Sequence, residues 1–398
     1  ALKFLKKGLH VFAENPLSIR NLPGLEKAVF TNLWSSNAQV KTILAELRIL
    51  HDNLEDGVDL FKEILNKEQD NIQINLEYAI FLDYLQNCGY IKKIWINERD
   101  SQWIKCANLI MNDPHTKTEP LGESQNEVSQ ISDEFVLKRN TDRSTLEKER
   151  NLAIRVNEIL HENSNLIQSQ LLFDIVSPRF LSDQQINSKY VYVMRFDSGR
   201  TLMDLIEDNQ DITNIIDSIV EYTALLHAKI TPNGKRLDIK TKTEDRLAKL
   251  KNELPDTTRR ILGENLNPFY EIIDSFEQFW NTDAHPEQWI IEDYKITRLD
   301  TEDRGLVPYP MDLVNIGEYV RNSNLRNLRE KILSEYPKHF TRFSGRKLEG
   351  DLELGYLISV IPRLISMFSA WSSGNRPNMK KLRRDLVMNS IDSISDLK

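Results

Sequence analysis

Apolar positions in residues 1–94 recur at helical spacing. In the segment "AQVKTILAELRILHDNL" the residues Val40, Ile43, Leu44, Leu47 and Leu50 fall on one face of a helix. The same period continues through "DGVDLFKEIL" and "INLEYAIFLDYLQNCGY", where Asn87-Cys88-Gly89 provides a helix stop. The pattern therefore predicts a helical domain over residues 1–94.

The pattern of apolar positions changes at about residue 95. The runs "IKKIWIN" (91–97) and "WIKCANLIM" (103–111) indicate short strands, and a polar stretch follows over residues 112–134. Further strands are predicted at "FVLKRN" (135–140) and "KYVYVMRFDSG" (189–199). Between these strands lies a predicted helix, "STLEKERNLAIRVNEIL", in which Ser144 and Glu147 have the spacing of a capping box.

Helical spacing returns after Gly199 and continues to the end of the chain. Residues 352–371 are the most apolar late stretch, but Glu353, Pro362 and Arg363 interrupt them. These residues favour a buried helix pair over a transmembrane span. The order of elements predicts an α+β protein with three parts: a helical domain (1–94), a small sheet-rich lobe (95–198) and a large helical lobe (199–398).

Composition and charge narrow the class of protein. Hydrophobic residues make up 40% of the 398 residues, which favours a folded core over disorder. The formal net charge of −8 argues against non-specific nucleic-acid binding, and a helix-turn-helix within 1–94 is the weaker alternative because that region is acidic. The two cysteines are too few for a disulfide framework, so we expect a reducing, cytoplasmic compartment.

Acidic residues surround two strand-like runs in "WNTDAHPEQWIIEDYKITRLDTEDRG" (280–305). The runs 289–291 and 296–299, separated by a polar turn, predict a β-hairpin that brings Asp283 and Asp300 to the same end. A carboxylate in the position of Asp283 suits a base or an orienting group for an attacking hydroxyl. A carboxylate at Asp300 suits a divalent metal.

This segment resembles the catalytic segment of the aminoglycoside phosphotransferase and choline kinase-like enzymes, which are relatives of the protein kinases. The family pattern is roughly His-Gly-Asp-Leu-His-Pro-Gly-Asn, a hairpin, Ile-Asp-Phe-Glu, and then Asp-Leu-Ala. The resemblance implies that Asp283 is the catalytic aspartate and that Gln288 and Asp300 bind metal. His285-Pro286 matches the His-Pro of the family, and Asp312-Leu313 matches the later Asp-Leu.

Upstream segments of the chain resemble the nucleotide-binding parts of the same family, over residues 120–320 in all. Lys138 is similar to the strand lysine that touches phosphates, and Glu149 is expected to be its partner because it shares the inward helix face with Leu152 and Val156. Glu147 is the weaker choice. The resemblance implies that backbone groups from Met194 to Phe196 meet adenine, and that the loop 121–131, with Gly122 and Ser124, covers phosphate.

The resemblance implies a bilobal kinase-like fold and an ATP- and Mg²⁺-dependent phosphotransferase that acts on a hydroxyl group of a small molecule. A second interpretation stays open: a pseudokinase-like binding or assembly subunit. It is favoured by Asn281 and Gln288 in place of His and Asn, by a covering loop with one glycine, and by the extra domain. In that loop Glu123 and Glu127 would oppose phosphate. Residues 1–94 are a candidate surface for a protein partner or for self-association.

Overall fold

The computed structural model describes residues 54–87, 93–112, 127–130, 135–176, 178–195, 199–231, 234–250, 256–264, 266–292, 294–301, 305–317 and 325–373. Its helices are, in chain order, α1 (Leu54–Lys67), α2 (Ile72–Asn87), α3 (Lys93–Asn112), α4 (Arg143–Glu162), α5 (Leu202–Glu207), α6 (Thr213–Lys229), α7 (Ile239–Lys249), α8 (Asp256–Glu264), α9 (Leu266–Ile272), α10 (Tyr309–Gly317), α11 (Leu325–Ser344) and α12 (Leu352–Ser373). Its strands are β1 (Glu127–Gln130), β2 (Phe135–Asn140), β3 (Leu172–Ile175), β4 (Pro178–Leu181), β5 (Tyr190–Arg195), β6 (Arg200–Thr201), β7 (Gln278–Trp280), β8 (Trp289–Glu292), β9 (Lys295–Arg298) and β10 (Leu306–Pro308).

The protein is a mixed α+β chain with small, mostly antiparallel sheets. It divides into two compact units: Ala1–Leu146 with Pro178–Phe196, and Glu147–Ser177 with Asp197–Lys398. The division at residues 94/95 and 198/199 stays a prediction. The helices predicted before residue 54 lie outside the described residues, whereas the predicted helix end at Asn87 is confirmed.

The first unit contains an antiparallel sheet with strand order β1-β2-β5-β4. The strand predicted at residues 135–140 is confirmed, and so is the strand within residues 189–199. One core joins this sheet to helices α2 and α3, because apolar side chains from all of them pack together. Its buried members are Leu76, Ala79, Ile80, Trp103, Cys106, Ala107, Ile110, Leu137, Ile186, Val191 and Val193.

The strands predicted in residues 91–111 are wrong, because residues 93–112 form helix α3. Its buried apolar side chains are Trp103, Cys106, Ala107 and Ile110, which follow the i, i+3, i+4, i+7 spacing of a helix face. The Trp103 ring also stacks on Phe180 at 5.7 Å. Burial of one helical face thus outweighs the strand preference of the Ile and Trp residues.

The predicted capping box of helix α4 is also wrong. The helix begins at Arg143, and the side chain of Asp142 accepts a hydrogen bond from the Ser144 backbone N at 3.0 Å. The hydroxyl groups of Ser144 and Thr145 donate to the same carboxylate. Asp142 therefore caps this helix, two residues before the cap at Ser144 that the sequence predicted.

The second unit holds a sheet with strand order β3-β9-β8-β6 and a two-stranded sheet of β7 and β10. The predicted hairpin is confirmed as the antiparallel pair β8 and β9, in which Trp289 lies opposite Arg298. The chain approaches this hairpin closely at Gly199. A Cβ atom there would lie 2.5 Å from the Ile290 side chain and 2.7 Å from the Ile291 carbonyl oxygen, so glycine fits where larger residues do not.

Residues 352–373 form one helix with Pro362 inside it, and not the predicted helix pair. Val360, Ile361, Leu364 and Ile365 on both sides of the proline are buried in the core of the second unit. This packing keeps the helix continuous where proline removes one backbone donor. Among the described residues, no helix is long and apolar enough to cross a membrane.

Candidate active site

Asp283 lies in the loop between strands β7 and β8 and is 9% exposed. Its φ angle is 45°, a left-handed conformation that is costly for a residue other than glycine. Two short hydrogen bonds hold this turn: the Asp283 N–H donates to Asn281 Oδ1 at 2.9 Å, and the His285 N–H donates to the Asp283 carbonyl at 2.7 Å. Strained residues of this kind occur in turns and cluster at active sites, and Asn187, Ser188 and Asn209 also have positive φ angles.

The buried carboxylate of Asp312, in helix α10, anchors this loop through hydrogen bonds to Thr282. Its Oδ2 atom accepts hydrogen bonds from the Thr282 backbone N at 2.6 Å and from Thr282 Oγ1 at 2.7 Å. The same oxygen lies 3.1 Å from His227 Nε2, and the Nδ1 atom of that ring lies 2.7 Å from the hydroxyl of Tyr336. Asp312 therefore fixes the residue directly before Asp283.

A single side chain, Arg298, joins the Asp283 loop to the turn that carries Asp300. Its Nε donates to the Asp300 carbonyl at 2.8 Å, and its Nη2 donates to the Thr282 carbonyl. The guanidinium is 4.9 Å from the centre of the Trp289 ring. The predicted hairpin therefore does bring the two acidic segments to the same end.

Sequence analysis missed Arg298, although the predicted hairpin contained a signal for it. The antiparallel register places Arg298 opposite Trp289, the arrangement of a cross-strand cation–π pair. The residue is only 3% exposed, which is unusual for an arginine at the end of a short strand.

Gln288 and Asp300, the two predicted metal ligands, also lie on neighbouring segments, because the Leu299 N–H donates to the Gln288 carbonyl at 2.9 Å. Both side chains are half-buried and offer oxygen atoms. In the described part of the chain, no group of three or more His, Cys, Asp or Glu residues is arranged to hold a metal. One carboxylate and one amide fit Mg²⁺, which is commonly held by one or two protein ligands together with phosphate oxygens and water.

His285 is surrounded by polar groups of the same loop. Its Nε2 lies 3.5 Å from Asp283 Oδ2 and 3.3 Å from Gln288 Nε2, and its Nδ1 lies 3.8 Å from Glu287 Oε2. Burial lowers the pKa of His285, with Asp283 acting in the opposite direction and Arg363 adding to the decrease. The imidazole is therefore neutral at pH 7, and its contact with Asp283 is not an ion pair there.

The structure places the other predicted site residues as follows. Lys138 is buried in strand β2 opposite Tyr192, and Met194 is buried in strand β5 opposite Val136. Glu149 is 3% exposed on helix α4, whereas Glu147 is partly exposed, so the predicted inward face is confirmed. The pairing of Lys138 with Glu149 stays a prediction.

Thr301 connects the inward face of α4 with the Asp300 turn. Its hydroxyl donates to the Glu149 carbonyl at 3.3 Å, within the second unit. The backbone of Glu149 is therefore a neighbour of the residue that follows Asp300.

Three predicted site residues, Gly122, Ser124 and Phe196, lie outside the described residues. Glu127, expected to oppose phosphate, starts strand β1 and forms ion pairs with Lys189 and with Arg139 at 3.5 Å. The hydrogen bond from Lys189 is the main cause that lowers the pKa of this carboxyl group. Two cations therefore offset the charge of Glu127, and its expected opposition to phosphate stays a prediction.

No protein-family model matches the chain, and no curated protein matches it. Among solved structures, a choline/ethanolamine kinase family protein from Mesorhizobium loti is 13% identical, with a TM-score of 0.46, covering 74% of this chain and 92% of that one. The GDP complex of aminoglycoside 2'-phosphotransferase-IIIa is 12% identical, with a TM-score of 0.47, covering 73% of this chain and 98% of that one. Choline kinase LicA from Streptococcus pneumoniae is 13% identical, with a TM-score of 0.45 and coverage of 69% and 92%. These are the families that the sequence motifs resemble.

Proposed function

We propose that the protein is a phosphotransferase of bilobal, protein-kinase-like fold with an added N-terminal helical domain. It transfers the γ-phosphoryl group of ATP to a hydroxyl group of a small molecule and requires Mg²⁺. One observation carries this proposal: a strained, buried aspartate and a second acidic turn are held at one end of a hairpin by shared hydrogen bonds. Phosphoryl transfer depends mainly on such positioning.

Asp283 is the residue that we assign to the acceptor hydroxyl, which it orients and from which it accepts a proton. Neutral His285 lies beside that carboxylate, with Nε2 at 3.5 Å from Asp283 Oδ2. Asp300 and Gln288 would hold Mg²⁺, which when bound neutralises charge on the phosphates. In the same proposal Lys138, paired with Glu149, contacts the phosphates.

The remaining predicted nucleotide contacts belong to the first unit. Backbone groups from Met194 to Phe196 would meet adenine, and Gly122 and Ser124 would approach phosphate through their amides. In this assignment Asp283 contacts the acceptor, whereas the residues of the first unit contact the nucleotide.

One contact favours the alternative function, a catalytically impaired pseudokinase-like binding or assembly subunit. The side-chain amide of Gln288 lies 3.3 Å from His285 Nε2, so this side chain already has a protein partner. This contact occupies the amide nitrogen and fixes the amide plane, so Gln288 ligates a metal only if its Oε1 atom faces that metal. The alternative predicts nucleotide binding, or none, without transfer.

The first experiment measures phosphate transfer from ATP to a library of hydroxyl-bearing metabolites by the wild type and by Asp283→Asn. Loss of orientation and proton acceptance lowers turnover by about 10²–10⁴-fold. Nucleotide affinity stays within a factor of about three, because the residue faces the acceptor. Asp208→Asn, at an exposed ion pair with Arg200, is the matched control and keeps full turnover. Equal residual rates in the wild type and Asp283→Asn would contradict the catalytic assignment.

The second experiment separates the metal assignment from catalysis. Thermal unfolding is followed with ATP alone, Mg²⁺ alone and both together, in the wild type and in Asp300→Asn. A ligand at a hundredfold excess over its dissociation constant stabilises the native state by about 2.7 kcal/mol. We expect this stabilisation only with both ligands and only in the wild type. A shift that survives in Asp300→Asn removes Asp300 as a metal ligand. A wild-type shift without any transfer supports the pseudokinase-like alternative.

A further inference from the structure

We propose that Arg298 is a positioning residue that holds the Asp283 loop and the Asp300 turn in one fixed geometry. This inference rests on the proposed function and adds a residue to it that the family resemblance does not assign. Arg298 touches neither the acceptor nor the nucleotide in this assignment. It acts through the backbone of the residues that flank or carry the two carboxylates.

The hydrogen bonds of Arg298 define this role. Nε donates to the carbonyl of Asp300 itself, and Nη2 donates to the carbonyl of Thr282, the residue directly before Asp283. The two acceptors lie on the segments before and after the hairpin, which the backbone hydrogen bonds from Asn281 N to Gly305 O and from Leu299 N to Gln288 O also connect. A planar guanidinium holds both acceptors in one plane, since its donors have a rigid spacing.

Packing alone does not explain why the guanidinium of Arg298 is buried. Arg298 is 3% exposed, it donates hydrogen bonds to two neutral carbonyl groups, and its guanidinium faces the ring of Trp289 at 4.9 Å. Within the described residues, Nη1 has no hydrogen-bond partner. An apolar side chain would pack on Trp289 without this cost of desolvation. The two bridging hydrogen bonds are what an apolar side chain cannot supply.

Lysine is the decisive replacement for Arg298. It keeps the positive charge and the aliphatic stem, but its single nitrogen cannot occupy the positions of Nε and Nη2 together. If charge alone mattered, Arg298→Lys would behave like the wild type. If the bridge matters, the lysine variant has an Asp283 loop that is free to move relative to Asp300.

The experiment compares Arg298→Lys and Arg298→Met with Arg342→Lys as the matched control. Arg342 also uses its guanidinium to join two segments, at Gln168 and Glu221, on helix α11 of the same unit. Two quantities are measured in the intact chain: deuterium exchange of the backbone amides in residues 281–288 and 299–301, and the steady-state kcat and KM for ATP. The methionine variant, which retains the contact with Trp289, serves if the lysine variant does not fold.

We expect faster exchange in both segments of the Arg298 variants and a kcat that is lower by about 10²-fold, as for a small misplacement of reacting groups. The KM for ATP stays within about threefold, and Arg342→Lys changes neither segment nor kcat. Unchanged exchange in the two segments overturns the proposal. Faster exchange with unchanged kcat also overturns it, because the bridge would then be structural only. A wild type without transfer refutes the proposed function instead, and the exchange data alone then decide whether the bridge exists.

Discussion

Replacement of Asp312 by asparagine tests whether one buried carboxylate supports the Asp283 loop. Its Oδ2 accepts from Thr282 N at 2.6 Å, from Thr282 Oγ1 at 2.7 Å and lies 3.1 Å from His227 Nε2. Hydrogen bonds to a charged group contribute about 1.5–3 kcal/mol each, against about 0.5–1.5 kcal/mol for neutral pairs. The change from carboxylate to amide thus lowers the free energy of unfolding by about 3 kcal/mol over three contacts.

The assay for Asp312→Asn is urea unfolding at pH 7, followed by tryptophan fluorescence; two of the six tryptophans, Trp280 and Trp289, lie on either side of the Asp283 loop. Asp351→Asn is the matched control, because that exposed carboxylate accepts a single hydrogen bond, from Leu354 N at 3.1 Å. We expect a large decrease in the urea midpoint for Asp312→Asn and a small one for Asp351→Asn. Equal midpoints for the two variants would refute the idea that Asp312 anchors the loop.

Two further predictions concern stability. A Cβ atom at Gly317 would lie 1.9 Å from the Tyr356 hydroxyl, so Gly317→Ala lowers the melting temperature. The control Gly345→Ala, where a Cβ has no neighbour within 4 Å, loses only about 1–2 kcal/mol through its φ of 73° and lowers the melting temperature less. Equal effects of the two variants would contradict the packing argument. Because burial lowers the pKa of His285 below 6.5, the unfolded state binds more protons, so stability falls as the pH drops below about 6.5. His285→Asn flattens that slope in urea titrations between pH 5 and 8, and an unchanged slope would assign the effect to other groups.

Helices and strands were predicted correctly where one sequence pattern, such as alternation of apolar and polar residues, was unambiguous. The alternation in "KYVYVMRF" and the short run "FVLKRN" predicted strands β5 and β2, which pair in one sheet. The alternation suggested a half-buried strand, but residues 191–194 of β5 are all buried, so both faces of this strand are covered. The prediction failed over residues 93–112, where Ile and Trp favour strands but the buried face has the helical period. A short sequence window reflects the strand preference of individual side chains, whereas the secondary structure that forms depends on which face of the segment becomes buried.

The predicted positions of Asp283 and Asp300 depended on a hairpin, which is a local structure and could be inferred from the turn between its strands. The groups that hold these acids in place are not local. Asp312 reaches Thr282 from helix α10, and His227 on helix α6 contacts Asp312. Arg298 is 16 residues from Thr282, whose carbonyl it binds. Contacts between residues so far apart in the chain form only in the tertiary structure. The sequence therefore indicated Asp283 and Asp300 but not the residues that hold them in place.

The residues that hold the Asp283 loop in place help to distinguish an enzyme from a binding subunit. Within one loop and its neighbours the chain combines a left-handed aspartate, a fully buried carboxylate at Asp312 and a buried guanidinium at Arg298. Each of these features costs free energy that ordinary packing would avoid. A subunit that binds its partner through another surface gains nothing from such a loop. An enzyme gains a fixed direction for the Asp283 carboxylate, and that gain is the physical reason to favour phosphoryl transfer as the function.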